Sequence, residues 1–101
     1  MLGTRLELHS VLKTYMDNVY FRKPSNQTLK YPCILYRKQD MSLRRANNKL
    51  YSSRQLYRIT IIEQDPDSTV AERMLQEQQL IELVDYQEID NLNHTYLDIY
   101  F

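Results

Sequence analysis

The sequence predicts an α+β domain in which a mostly antiparallel sheet packs against two helices, and three observations carry that prediction. Leu8, Leu12, Tyr15 and Val19 recur at helical spacing near the N-terminus. Residues 54–64, "RQLYRITIIEQ", and residues 94–101, "HTYLDIYF", alternate apolar and polar side chains with the period of two expected of a half-buried strand. Between them, "STVAERMLQEQQL" returns to a helical period. At 101 residues, 43% hydrophobic and 26% charged, the chain reads as one domain spanning 1–101. A chain of that size buries a single modest core and does not enclose a deep cleft between lobes.

The elements are expected in the order helix, strand, long arm, strand, helix, strand, strand. The first helix covers about 15 residues, with Leu6, Val11 and Met16 beside its stripe, Lys13 and Asp17 on the wet side, and "RKPSN" ending it. "YPCILYR" is short, apolar and β-prone, which predicts a strand over 33–38 with Pro32 at its start. Residues 39–53, "QDMSLRRANNKLYSS", keep neither period and are expected to form a protruding hairpin arm tipped by "RRANNK".

In the next strand Tyr57, Ile59 and Ile61 share one face, while Arg58, Thr60 and Gln64 share the other with Leu56 and Ile62. "DPDST" then stops the strand and starts a helix. Pro66 sets the turn, Ser68 is the expected N-cap, and Asp65 and Asp67 precede the helix's positive end. Helix 68–80 brings Val70, Met74 and Ile81 near one line. Leu83, Val84 and Tyr86 permit a short strand, "DNLN" supplies a turn, and Thr95, Leu97, Ile99 and Phe101 form the buried side of the last strand.

Net charge is zero, yet the signs are divided along the chain. Residues 1–58 hold 12 basic and 3 acidic residues, and residues 59–101 hold 1 basic and 10 acidic ones. Such a split suits a charged partner or the opposite side of another copy, and it also arises when a fold interleaves both halves. The nine tyrosines suit half-buried sheet surfaces and protein contacts equally.

Most chemistry is hard to place on these residues. Gly3 is the one glycine, which leaves no glycine-rich phosphate loop or dinucleotide fingerprint. Cys33 is the one cysteine, so nothing requires an oxidising compartment, and its apolar strand is a setting for inert packing. His9 and His94 belong to no metal-binding spacing, and Glu63, Asp65 and Asp67 lack the pattern of an EF-hand. No catalytic residue, cofactor, metal or membrane span is expected. Arg37, Lys38, Arg44, Arg45, Lys49, Arg54 and Arg58, interleaved with Tyr36, Tyr51 and Tyr57, make nucleic-acid binding the competing reading.

Three stretches, "NVYFRKPSNQTLKYPCILYRKQD" (18–40), "LYRITIIEQDPDS" (56–68) and "DNLNHTYLDIYF" (90–101), together resemble the tail terminator, or tail-completion, proteins of long-tailed bacteriophages and related prophage elements. The resemblance implies a non-catalytic virion protein, assembled in the host cytoplasm, that forms a ring, commonly a hexamer, at the head-proximal end of the tail tube. Such a ring ends tube growth and offers the surface on which the head docks. Its implied partners are other copies of itself, the tail tube protein and a head-tail connector or stopper protein, with non-specific contact to DNA in the channel. The arm, through Arg44, Arg45, Asn47, Asn48, Lys49 and Tyr51, would reach an adjacent subunit or the lumen. The charge split then suggests a basic face of Arg37, Lys38, Arg54 and Arg58 set against an acidic face of Glu63, Asp65, Asp67, Glu72 and Asp85 on the next subunit. A neck head-completion or connector ring is the near alternative, and a small basic-armed nucleic-acid-binding protein is the alternative of another class.

Overall fold

A computed structural model of the chain describes residues 4–22, 28–39 and 54–101. The elements run α1 (Arg5–Lys13), β1 (Val19–Phe21), β2 (Cys33–Lys38), β3 (Leu56–Glu63), α2 (Val70–Glu77), β4 (Ile81–Ile89) and β5 (Leu92–Tyr100). The five strands make one mixed sheet in the order β1-β2-β3-β5-β4, parallel only between β1 and β2. The α+β class and the two helices match the expectation.

Helix α1 starts at a capping box. The Thr4 hydroxyl accepts from the Glu7 amide at 3.1 Å and the Glu7 carboxylate accepts from the Thr4 amide at 3.0 Å, so two amides that the helix itself cannot satisfy are bonded. The helix spans nine residues, not about 15, and the stripe does not carry through to Val19. Val19, Tyr20 and Phe21 are β-branched or aromatic and pair with Ile34, Leu35 and Tyr36 as the edge strand β1. Val19 still reaches the core, and its spacing from Tyr15 therefore mimicked another helical turn.

Both helices lie on one side of the sheet. The core joins Leu8 and Leu12 of α1 and Met74 of α2 to Ile34 and Tyr36 of β2, Tyr57, Ile59 and Ile61 of β3, and Leu97 and Ile99 of β5. These strand positions are separated by two, as one face of a pleat requires. Burying each large apolar side chain contributes about 1.5–3 kcal/mol. Tyr15 ties the two helices at their surface, donating to Glu77 at 2.7 Å and accepting from Gln78 at 2.9 Å, with the Arg73 guanidinium over its ring.

Helix α2 is shorter than the predicted 68–80, and its N-cap is Thr69, not Ser68. With φ −105° and ψ 11°, Thr69 lies outside the extended conformation that aims a capping side chain, and its hydroxyl caps nothing. The Ser68 hydroxyl instead donates to Glu63 at 2.6 Å and accepts from the Val70 amide at 3.4 Å. Strand β4 is nine residues long where a short strand was expected. A register shift between Leu83 and Asp85 inserts Val84 as a bulge, which resets the two-residue alternation partway along. The hairpin from β4 to β5 turns at Asp90 and Asn91, both with positive φ as a two-residue turn requires, so the turn expected over "DNLN" takes only its first two residues and Leu92 and Asn93 already pair in β5.

The residues that flank the predicted arm sit at the ends of the antiparallel neighbours β2 and β3. The Gln39 amide donates to the Leu56 carbonyl at 2.8 Å and the Gln55 side chain donates to the Gln39 carbonyl at 3.0 Å, extending the β2–β3 ladder by one step. Arg44, Arg45, Asn47, Asn48, Lys49 and Tyr51 lie outside the described residues.

Candidate interaction surface

Register places four charges in one row on the side of the sheet away from the helices. Arg37 of β2 stands opposite Arg58 of β3, Arg58 opposite Asp98 of β5, and Asp98 opposite Glu82 of β4. Read across four strands, the row runs basic, basic, acidic, acidic. The division of charge along the chain thus becomes a division across the sheet.

The middle of this row is an ion pair. Arg58 donates from Nε to one Asp98 carboxylate oxygen and from Nη2 to the other at 3.4 Å. Asp98 is fully buried, and such a carboxylate persists only where charged donors replace its water. Alternation alone put Asp98 on the wet side of β5; its pairing with Arg58 allows it to be buried there. Two arginines directly opposite each other oppose folding, and pairing Arg58 to Asp98 leaves Arg37 as an exposed cation at the row's end.

Arg22 joins this basic end. Its amide donates to the Tyr36 carbonyl at 2.8 Å, which holds it beside β2 just past the end of β1. Arg22, Arg37 and Arg58 line a depression of about 170 Å³ with Leu35, Tyr36 and Thr60. The Arg22 guanidinium lies over the Phe21 ring at 4.9 Å and that of Arg58 is bound to Asp98, so Arg37 is the arginine of this hollow best placed to offer its planar, forked donors to a carboxylate or phosphate. Sequence reading missed Arg22 because it falls in the break "RKPSN", and only the pairing of β1 with β2 brings it to Arg37.

The other basic positions divide. Lys38 stands opposite Tyr57 and so projects on the helix side, away from Arg37. Arg54 is half-buried just before β3. The acidic positions also separate into two groups. Glu63, Asp65, Asp67 and Glu72 surround the β3–α2 corner, where Asp65 accepts from the Asp67 amide at 2.9 Å and forms a local turn. Asp85 lies on β4, where Glu82 and Glu88 extend its charge along the strand.

Strand β4 presents the acidic end. All its residues after Ile81 are exposed, including Leu83 at 55%, Tyr86 at 53%, Ile89 at 42% and Val84 at 41%. By register Leu83, Tyr86 and Glu88 take the helix side of the strand and Glu82, Asp85 and Ile89 the other, so each face exposes apolar side chains beside a carboxylate, which is unusual for a strand whose surface meets only water. The bulge at Val84 and the charges along the strand both discourage its outer edge from building a long main-chain ladder with another sheet.

Titratable groups elsewhere are occupied with packing. Arg5 donates to the Tyr36 hydroxyl at 3.2 Å, and the same hydroxyl shares a hydrogen bond of 2.8 Å with His9 Nδ1. Burial, followed by the charges of Lys13 and Arg5, holds the His9 pKa below its usual value. Burial pushes the Cys33 thiol up to about 11. Cys33 pairs with Ile62, which pairs with His94, so two strand spacings, about 10 Å, separate the thiol strand position from the imidazole's. Among the described residues no group of three or more His, Cys, Asp or Glu side chains is placed to hold a metal ion, and no helix is long and apolar enough to cross a membrane.

Comparison with known proteins finds no family model, no curated protein and no solved structure that matches this chain.

Proposed function

We propose that the chain is a structural virion protein of the tail terminator type, whose copies form a ring at the head-proximal end of a phage tail tube. The observation that carries this reading beyond the residue resemblance is the polarised sheet. One edge ends in Arg22 and Arg37 and the other in the acidic, apolar strand β4. A subunit with unlike, complementary edges favours head-to-tail contacts, and these close into rings when the rotation between neighbours allows. The two aspartates of "DPDS" take part as turn-forming and acidic surface residues, and the ring has no catalytic task.

Negative-stain imaging of the purified protein, alone and with tail tubes, tests the proposal. Ring-shaped particles and capped tube ends are expected. Monomers at both low and high salt, with tubes left uncapped, would reject it.

The arginine-lined depression favours a second reading, nucleic-acid binding by the single subunit. Tight binding to DNA by a monomer, weakening steeply with salt, would support that reading over the ring.

A further inference from the structure

We infer that β4 of one copy docks against the Arg22/Arg37 edge of a second copy, its carboxylates meeting the guanidiniums and Leu83, Val84, Tyr86 and Ile89 supplying the apolar part of the contact. The inference rests on the ring reading in one respect, that the occupant of this surface is another copy of the same chain.

The two surfaces cannot meet within one subunit. They lie at opposite ends of the order β1-β2-β3-β5-β4, four strand spacings or about 19 Å apart. Contact between them therefore needs a second copy. Residues 81–91 contain Glu82, Asp85, Glu88 and Asp90 and no lysine or arginine, while the opposite end presents Arg22 and Arg37 beside a hollow, the charge of the neighbouring Arg58 being met by Asp98. The contact is heterologous, since the surface each copy gives differs from the one it receives. Charge sets the register and the choice of partner, and burial of the four exposed apolar side chains supplies the attraction that remains when salt screens the charges. A DNA partner would leave β4 unexplained, because phosphates would be repelled by its carboxylates and would not cover its apolar side chains.

Two charge reversals test the contact, each made at exposed positions so that the fold is kept, with thermal unfolding as the control. Asp85→Arg with Glu88→Arg cancels the net negative charge of residues 81–91, where Glu82 and Asp90 remain; Arg22→Glu with Arg37→Glu turns the other end acidic. Sedimentation velocity should show association of the wild-type chain and at least roughly a tenfold weaker association, on the order expected where opposite charges are lost or like charges brought together, for each reversed variant alone. Mixing the two variants restores opposite charges at both kinds of contact, and association should return. Leu83→Ser with Tyr86→Ser should weaken association at high salt, where the charges are screened. Wild-type association that neither reversal alters, or a mixture that stays as weak as its parts, would overturn this contact while leaving the ring reading in place. A wild-type chain monomeric at every concentration and salt would reject the ring reading itself. Loss of DNA binding in the Arg22/Arg37 variant with self-association unchanged would also overturn the contact and support the nucleic-acid reading.

Discussion

Strands β4 and β5 are the two arms of one hairpin and both are nine residues long, yet five residues of β5 are buried and eight of β4 are exposed. Composition does not separate them, since "IELVDYQEI" and "LNHTYLDIY" each mix apolar, acidic and aromatic residues. Position does. β5 lies between β3 and β4 and presents Leu97 and Ile99 to the helix layer, while β4 has one strand neighbour and limited cover from α2. An apolar residue in a strand therefore does not report a core; what covers it decides.

The largest expected effect sharpens this contrast on a single cross-strand pair. Leu83 and Leu97 stand opposite each other, 55% and 0% exposed. Leu97→Ala should lower stability by about 2–5 kcal/mol, whereas Leu83→Ala in the isolated subunit should change it by about 0.5 kcal/mol or less. Urea unfolding at low protein concentration measures both, and equal losses would break the contrast.

A second pair compares the two arginines of the charged row. Arg58→Ala strands the buried Asp98 carboxylate and should lower stability by about 2–3 kcal/mol, toward the lower end for a broken buried pair because Arg58 is 22% exposed. Arg37→Ala removes a like-charge opposition and should leave stability unchanged or slightly raised. Thermal unfolding of the two variants distinguishes a structural arginine from one held at the surface.

Thiol labelling extends the comparison to kinetics. With its pKa pushed up to about 11 from 9.0, Cys33 carries roughly a hundredfold less thiolate at pH 8 than an ordinary cysteine, and burial blocks access as well. It should resist a disulfide reagent until the chain unfolds. A Val84→Cys thiol on β4, in a Cys33→Ala background, should react at once in the monomer and be protected on assembly; slow reaction in the monomer would show that β4 is covered without a partner.

The smallest effect concerns α1, which covers the β2 side of the sheet. Because the folded His9 pKa lies below 6.5, the unfolded chain takes up that proton first. Stability from this site is therefore complete above pH 6.5 and declines as pH falls from there toward the folded value. His9→Gln should flatten this part of a pH–stability profile, and an unchanged slope would place the titration elsewhere.

Strands β2, β3 and β5 were legible because the core residues of each recur at every second position on the helix side and are apolar or aromatic there, which writes a period of two into the residues even where the other face is partly buried as well. β1 was not, since three residues carry no period and Val19 continued a helical spacing by coincidence. The extent of β4 was hidden by its bulge and by exposure on both faces, which remove the alternation a reader relies on. Of the candidate surface, the opposed charges of Arg37, Arg58 and Asp85 were visible as a division along the chain. The nearness of Arg22 to Arg37, the projection of Lys38 to the other side and the burial of Asp98 were not, because each depends on which strands become neighbours.

The sequence by itself determined the α+β class, the two helices, the faces of the central strands and the separation of charge into a basic first half and an acidic second half. Those properties are local, set by side-chain periodicity and by order along the chain. Only the tertiary structure decided where the described part of that separation falls: the order β1-β2-β3-β5-β4 lays Arg22 and Arg37 toward one edge and the acidic strand β4 at the other, joined across the middle by Arg58 and Asp98. Pairing of residues distant in sequence sets that order, because backbone hydrogen bonds and the shared core act on neighbours in space.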